Sequence, residues 1–157
     1  MTAASSISNL RGCEDVVPTE DGIARARARA VEAFEGAGLD GVALFSLELC
    51  IHEALVNALV HGVRNCGGSQ IRLSYEIESR CVRMVVEDDG VDGELRNGGR
   101  DDLQAGHGRG LWLIRAFSSR MWSEGSRVTI ELDRNADPIS NSNQISTKVN
   151  RGPGVVR

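Results

Sequence analysis

The amino-acid sequence predicts an α/β fold, a two-layer sandwich in which a mixed, mostly antiparallel β-sheet carries three helices on one face. Apolar residues recur at helical spacing in three segments, which begin near Pro18, Asp40 and Gly110. Strand-like alternation occurs in two further stretches, residues 71–86 and 121–132, each interrupted by a turn. Because each of these segments has an apolar face, helices and sheet are expected to enclose one core.

Composition indicates an ordinary globular protein, since 41% of the 157 residues are hydrophobic and 25% are charged. The first residues lack the features of a secretory signal, and no uninterrupted apolar run is long enough for a bilayer, so we expect a cytoplasmic location. We expect residues 1–18 to form an N-terminal segment with one short strand around 7–13. Residues 19–133 would form the folded domain, and residues 134–157 a disordered tail.

The first predicted helix begins at Pro18 and Thr19, with acidic residues in its first turn, where the helix dipole favours anions. Its predicted core stripe is Ile23, Ala26, Ala30 and Phe34. Three arginines at positions 25, 27 and 29 alternate along the chain and therefore scatter around the helix, so we assign them no function.

The second predicted helix, with Asp40 as N-cap and its end at Gly62, places polar side chains within an apolar segment. Glu53 and Asn57 lie four residues apart and therefore share one face, with His61 a further turn along. The apolar neighbours expected in the core are Leu44, Leu47, Ile51, Leu55 and Leu59. A polar stripe that simply faces water is the alternative interpretation of this helix.

Asp88 is a candidate site residue because of its position in a predicted strand. Side chains alternate between the two faces of a strand, so Asp88 lies on the same face as Val82, Met84 and Val86. That face is the one that the helices are expected to cover. A half-buried carboxylate there needs a partner.

A glycine-rich and acidic stretch, residues 87–110, separates this strand from the third helix. Its length is typical of a lid or a binding loop, and plain disorder is the alternative. Glycines at 106, 108 and 110 lead directly into an apolar helix. The first turn of a helix presents unpaired backbone N–H groups, which favours phosphate binding.

Several other kinds of site are disfavoured. The four cysteines and three histidines have no zinc-ligand spacing, and Cys50 fits a small buried apolar side chain. Lys148, which is the one lysine, does not follow a P-loop. The net charge of −4 argues against direct nucleic-acid binding.

The order of these segments resembles the ATP-binding domain shared by gyrase, the heat-shock chaperone, histidine kinases and mismatch-repair ATPases, the GHKL superfamily. The closest resemblance is to the bacterial anti-sigma factor serine kinases. LELCIHEALVNALVHG is similar to that family's N box, VVEDDGVDG to its adenine-binding box, and GHGRGLWLI to its phosphate-binding box. The resemblance covers about residues 19–133, and it implies the Bergerat-type ATP-binding fold with ATP and Mg²⁺ as cofactors.

The resemblance also implies roles for individual residues. Glu53 would be the general base that accepts a proton from the attacking hydroxyl, and Asn57 the Mg²⁺ ligand. Asp88 would accept a hydrogen bond from the adenine amino group, and Gly90 would allow the backbone to approach closely. The remaining residues assigned to nucleotide binding are Gly106, His107, Gly108, Arg109, Gly110, Leu111 and Ser126, with Arg100 as a further candidate cation and Thr129 as a weaker alternative to Ser126.

Through the same resemblance, we expect a kinase that phosphorylates a small anti-anti-sigma (STAS-type) partner and holds a sigma factor when that partner is absent. A homodimer is left open. The sequence departs from the superfamily pattern at Asp92, where a second glycine is expected, while Gly93 follows one residue late. The alternative is a non-catalytic, nucleotide-gated binding module of the same fold. A histidine kinase fragment is disfavoured, because no upstream helical hairpin carries a phosphoacceptor histidine.

Overall fold

The computed structural model describes residues 10–91 and 109–134. Within these ranges the chain forms five strands, three α-helices and one π-helical segment. In chain order they are β1 (Leu10–Val16), α1 (Glu20–Gly36), α2 (Gly41–Asn57), the π segment (Ala58–Asn65), β2 (Ile71–Ile77), β3 (Cys81–Asp88), α3 (Arg109–Phe117), β4 (Arg120–Glu124) and β5 (Arg127–Asp133). Most of the stretch 87–110, expected to be a lid or a binding loop, and all but the first residue of the expected disordered tail, 134–157, lie outside the described residues.

The five strands form one sheet in the order β1-β2-β3-β5-β4, and every pairing between them is antiparallel. The predicted two-layer sandwich is therefore confirmed, although the described strands contain no parallel pair. The N-terminal strand lies three residues later than the sequence indicates, at Leu10–Val16. Both predicted hairpins are present, as β2–β3 and β4–β5.

The core lies between the helices and one face of the sheet. All four residues of the predicted α1 stripe are buried, and of the five apolar residues predicted on α2 and beyond, Leu44 alone is only partly buried. Alternate residues of the central strands complete this core: Ile71, Leu73, Ile77, Val82, Met84 and Val86. Phe34 of α1 packs edge-on against Tyr75 of β2, with ring centroids 5.2 Å apart.

The second helix and the π segment form one continuous helical stretch, Gly41–Asn65, with a mean hydropathy of 1.6. By length and composition alone this stretch could cross a bilayer. Its most apolar side chains, such as Leu47, Ile51 and Leu55, are instead fully buried in the core. The high hydropathy is thus explained by a helix packed on both a sheet and a neighbouring helix.

The other face of the sheet carries cross-strand ion pairs. Arg11 pairs with Glu76, and Nε of Arg72 donates to Oδ1 of Asp15 at 2.9 Å. Toward the opposite edge, the buried Glu131 carboxylate accepts from Nε of Arg83 at 2.8 Å and also contacts Arg120. Each exposed pair contributes little to the stability of the fold, but together the pairs favour this register of the strands.

The arginines of α1 do scatter, as the sequence predicts. Arg29 pairs with Glu14 of β1, whereas Arg27 lies 3.7 Å from Glu48 of α2 and 3.2 Å from Nδ1 of His52. These two arginines therefore tie α1 to β1 and to α2.

The N-cap residues of α1 and α2 differ in their hydrogen bonding. The Thr19 hydroxyl accepts a hydrogen bond from the backbone N–H of Gly22 at 3.0 Å, whereas Asp40 has the extended N-cap backbone but makes no capping bond through its side chain. We expect Thr19→Ala to lower the free energy of unfolding by about 1 kcal/mol, because an N–H of the first turn loses its acceptor.

Asp40→Ala is the matched control, and we expect it to lower the free energy of unfolding by less than about half of the Thr19→Ala value. Chemical denaturation of the two variants in parallel measures both values. An Asp40→Ala cost equal to that of Thr19→Ala would contradict this assignment of the caps.

Candidate functional site

The first part of the candidate site lies where α3 begins against the polar face of α2. Glu53 and Asn57 are both half-buried and lie one helical turn apart, as predicted. Gly110, in the first turn of α3, packs directly on them. A methyl group at position 110 would lie 2.8 Å from Oε2 of Glu53 and 3.3 Å from Oδ1 of Asn57. A side chain here would therefore push on both groups, and glycine leaves them accessible.

Packing of α3 on α2 fixes the position of Gly110 beside Glu53 and Asn57. The Cys50 thiol is buried and lies 3.9 Å from the carbonyl oxygen of Ile114, which is itself fully buried. Burial, and secondarily the charge of Glu53, raises the pKa of Cys50 to about 12. The thiol therefore stays protonated and acts as the small apolar side chain that the sequence indicates.

The second part of the site lies at the other end of the same helical stretch. Asp88, the last residue of β3, points toward the helix-covered face, and its carboxylate lies directly against Gly62 of the π segment. A methyl group at position 62 would overlap that carboxylate. Close approach of backbone and carboxylate is thus possible only because residue 62 is glycine.

Backbone contacts place Asp88 beside Gly90 and Ser126. Oδ1 of Asp88 accepts a hydrogen bond from the backbone N–H of Gly90 at 2.9 Å, and the Asp88 N–H is 3.3 Å from the carbonyl oxygen of Ser126. Thr129 lies in register with Val85, so it points to the sheet face opposite Asp88. Of the two hydroxyl residues that the sequence offers, Ser126 is the one whose backbone contacts the backbone of Asp88.

The neighbouring carboxylate, Asp89, points away and holds a loop in place. It accepts hydrogen bonds from the backbone N–H of Ser69 at 2.6 Å and of Gln70 at 2.8 Å, and from the Ser69 hydroxyl at 3.0 Å. These donors, that of Gln70 above all, lower the pKa of the exposed Asp89 carboxyl. Gly68 in the same loop donates to the carbonyl of Gly62 at 3.0 Å, so the loop also fixes the end of the π segment.

The structure therefore brings several of the predicted residues together in two clusters, one around Glu53 and one around Asp88. Arg109 is exposed at the start of α3, and Leu111 is half-buried against the core. Predicted residues that lie outside the described ranges are Asp92, Gly93, Arg100, Gly106, His107 and Gly108.

Sequence reasoning missed the roles of Gly62 and Asp89. Gly62 was expected only to end a helix, but the helical stretch continues as a π-helix to Asn65 and turns Gly62 toward Asp88. A glycine inside an apolar helical run was the available signal. For Asp89 no signal was available, because its partners at 69 and 70 adjoin it only after β2 and β3 pair.

The chemistry of the two clusters fits a nucleotide with a metal ion. An amide oxygen such as Oδ1 of Asn57 is a hard ligand suited to Mg²⁺, which also uses water and phosphate oxygens. No group of three or more His, Cys, Asp or Glu residues in the described part of the chain could hold a metal by itself. The two clusters are separated along the helix by roughly 7 to 13 Å, which suits an extended nucleotide with its base at one end and its phosphates at the other.

Comparison with known proteins agrees with this geometry. None of the curated proteins compared with the chain matches it. A family model described as the histidine kinase-like ATPase domain matches residues 16–132, which is most of the chain and includes all three α-helices and the strands from β2 to nearly the end of β5. Since that match contains both clusters of the candidate site, the chain belongs to the histidine kinase-like ATPase domain family.

Proposed function

We propose that this protein is an ATP-dependent serine/threonine protein kinase of the anti-sigma factor type. The observation that supports it best is the placement of Glu53 and Asn57 under the first turn of α3, with Gly110 leaving both accessible. A member of this family that only held nucleotide would not need a carboxylate beside the metal ligand. The presence of both residues, one turn apart, favours phosphoryl transfer.

In this proposal Glu53 is the general base. Its carboxylate accepts the proton of a partner's serine or threonine hydroxyl as that oxygen bonds to the γ-phosphorus of ATP. The bond between the γ-phosphorus and the bridging oxygen breaks, and ADP leaves with that electron pair. The products are a phosphorylated partner and ADP.

Asn57 and the start of α3 orient the phosphates. Asn57 would hold Mg²⁺ through its amide oxygen, and the backbone N–H groups at the beginning of α3 would donate to the phosphate oxygens. The chemistry that Mg²⁺ would supply there is neutralisation of the charge that develops on the phosphates. Arg109 is exposed on the same turn and is available to add a positive charge.

Asp88 holds the adenine. One carboxylate oxygen is fixed by the N–H of Gly90, and the carboxylate lies against Gly62, so its orientation is set before nucleotide binds. An oriented carboxylate accepts a hydrogen bond from the exocyclic amino group of adenine, which guanine cannot offer at that position.

The expected partner is a small anti-anti-sigma protein of the STAS type, whose phosphorylation would release it and leave the kinase to hold a sigma factor. This assignment rests on the resemblance of the three sequence boxes. A nucleotide-gated binding module of the same fold is the alternative, and the first experiment below separates the two.

We expect Glu53→Gln to lower the rate of phosphoryl transfer by roughly 10² to 10⁴, the range for loss of a general base, while ATP affinity changes little. Glutamine keeps the size of the side chain but cannot take the proton. Single-turnover transfer from ATP to the candidate partner and equilibrium ATP titration are measured on the same preparation.

Glu48→Gln is the matched control, because Glu48 lies on the same helix but faces Arg27 of α1. It should leave transfer unchanged. Transfer by Glu53→Gln at the wild-type rate would remove Glu53 as the base. Absence of transfer by the wild-type protein to any partner, with ATP still bound, would favour the binding module.

We expect Asp88→Asn to weaken ATP binding by about tenfold or more, because a hydrogen bond to an ionised acceptor contributes roughly 1.5 to 3 kcal/mol. Glu87→Gln removes the same charge one residue earlier, on the opposite sheet face, and should leave affinity nearly unchanged. Calorimetric titration measures both. Equal affinities of the Asp88→Asn variant and wild type would exclude Asp88 from the adenine site.

We expect Gly62→Ala to weaken ATP binding by about tenfold and to destabilise the fold by roughly 1 to 3 kcal/mol, because the new methyl group displaces the Asp88 carboxylate. Gly36→Ala is the control, since an added methyl there meets no atom within 4 Å. It should stabilise the protein by up to about 1 kcal/mol, because alanine favours helix. Wild-type affinity and stability in Gly62→Ala would disprove the close approach of Gly62 to Asp88.

A further inference from the structure

The outer surface of the helix layer carries large apolar side chains that are open to solvent. Phe45 of α2 is 56% exposed and Trp112 of α3 is 49% exposed, and Val42 is similarly open in the first turn of α2. These are three of the seven large apolar side chains that are exposed within residues 10–91 and 109–134. Their concentration on two neighbouring helices is typical of a protein-binding surface.

Helices α2 and α3 run antiparallel, and a shallow groove lies between them. Gly110 at the start of α3 packs on Glu53 of α2, whereas Phe117 at the end of α3 packs edge-on against Phe45, with ring centroids 5.9 Å apart. From Glu53 to Phe45 the groove is about 12 Å long, at 1.5 Å per helical residue. One end of the groove is therefore the carboxylate of the proposed general base.

Apolar side chains line the groove between its two ends. Leu49 lies four residues from each end of this stretch of α2, on the same helix face, and Leu113 lies between the two contact residues of α3. Both leucines are only half-buried. A segment of another protein laid along the groove would cover them.

The ridge of α3 that borders the groove is basic. Arg109 and Arg115 are exposed and lie three residues to either side of Trp112, so the three side chains share the outward part of the helix. Neither arginine forms an ion pair with another described residue. On the outer face of the sheet, by contrast, Arg83 and Arg127 are paired with glutamates. Two such cations beside an exposed indole are complementary to an acidic segment that also carries apolar side chains.

We propose that the groove between α2 and α3 is the docking site for the protein that accepts the phosphoryl group, and that this partner binds through an acidic segment with one apolar face. The inference rests on the proposed kinase function and deepens it by stating the chemistry of the partner's contact segment. Apolar side chains of the segment cover Leu49 and Leu113, and its acidic side chains face Arg115 and Arg109. An amphipathic helix bound in an apolar groove has this arrangement.

The direction of the groove supports the phosphoacceptor as the occupant. A segment docked from Phe45 toward Glu53 brings a hydroxyl at its end to the base, while the contacts that hold it extend about 12 Å away. Such contacts are made equally before and during phosphoryl transfer. Their loss therefore raises the KM for the partner and leaves kcat unchanged.

Nucleic acid is the other class of ligand that arginine and tryptophan side chains can bind, since bases stack on aromatic rings. A phosphodiester chain, however, carries a negative charge at every nucleotide, and it would meet the Glu53 carboxylate in a chain of net charge −4. A protein segment can place its acidic side chains beside the arginines alone. The observations therefore favour an acidic protein segment.

Steady-state transfer by Trp112→Ala, Phe45→Ser and Arg115→Glu variants of the full chain tests the proposal. We expect each variant to raise the KM for the partner by about tenfold or more, because aromatic and arginine side chains are the usual energetic anchors of interfaces. The kcat and the ATP affinity should stay close to the wild-type values. All three side chains are exposed, so the variants should fold.

The chain offers matched controls on other surfaces. Trp122→Ala removes an indole that is 39% exposed on β4, where its register with Thr129 turns it away from the helices. Arg25→Glu reverses the charge of an exposed arginine on α1. Both controls should leave the KM unchanged. An unchanged KM in Trp112→Ala, or an equal rise in Trp122→Ala, would overturn the docking site and leave the kinase function standing.

A binding measurement without transfer separates this inference from the proposed function. Trp122→Phe leaves Trp112 as the one tryptophan of the chain, so its fluorescence reports contact beside the groove. The probes are two synthetic helical peptides of about fifteen residues with the same leucine stripe, flanked by glutamates in one and by lysines in the other. The glutamate peptide should bind at least about tenfold more tightly, and adding Arg115→Glu should remove that preference.

The peptide measurement has outcomes that distinguish the two proposals. Binding of the glutamate peptide, with no transfer by the wild type to any partner, would support the acidic docking site and remove the kinase function. Equal affinity for the two peptides, or no binding of the glutamate peptide up to about 1 mM, would overturn the docking site. Tighter binding of a single-stranded oligonucleotide than of the glutamate peptide would also overturn it.

Discussion

The structure depends on one constraint: α2 must bury apolar side chains on two sides and still present polar groups at a rim. Its residues Leu47, Ile51 and Leu55 are fully buried. The same helix carries Glu53 and Asn57, which are only half-buried because α3 meets them with glycine. The free energy of burying the apolar side fixes the helix, and the fixed helix in turn fixes the orientation of its polar groups. A mobile helix would not hold a carboxylate and an amide in one fixed arrangement.

Two glycines, Gly62 and Gly110, allow the close contacts on which the candidate site depends. At Gly62 and at Gly110 the backbone of one element comes so close to a polar side chain of another that no side chain fits between them. In the turn after β3 the backbone N–H groups of Asp89, Gly90 and Val91 donate to Gln70, Asp88 and Cys66 respectively, so hydrogen bonds within the protein hold this turn beside Gly62. The π segment contributes because its wider turn continues the helix past Asn57 to the β3 end. The close contacts in both clusters of the candidate site therefore depend on a glycine in a helix, Gly62 in one cluster and Gly110 in the other.

Much of the fold and part of the candidate site could be predicted from the sequence, because the spacing of apolar residues indicates which side chains are buried. The α1 stripe and the parity that turns Asp88 toward the helices follow from spacings of 3.6 and 2 residues, and the structure agrees with both. What could not be predicted are contacts created by tertiary pairing. Asp89 adjoins Ser69 only after β2 and β3 align, and Gly62 meets Asp88 only after the π-helical segment packs beside β3. The start of β1 was misplaced because its alternating charges lack the apolar pattern that identifies strands.

Strand β1 and the candidate site are linked through one residue. Ile71, the first residue of β2, lies in register with Val16 of β1 on one side and with Asp88 of β3 on the other, and it is 1% exposed. Close-packed residues transmit strain rather than absorb it. One strand, β2, therefore separates β1 from Asp88, and the buried Ile71 side chain ties the end of β1 to the end of β3, where the Asp88 carboxylate lies against Gly62.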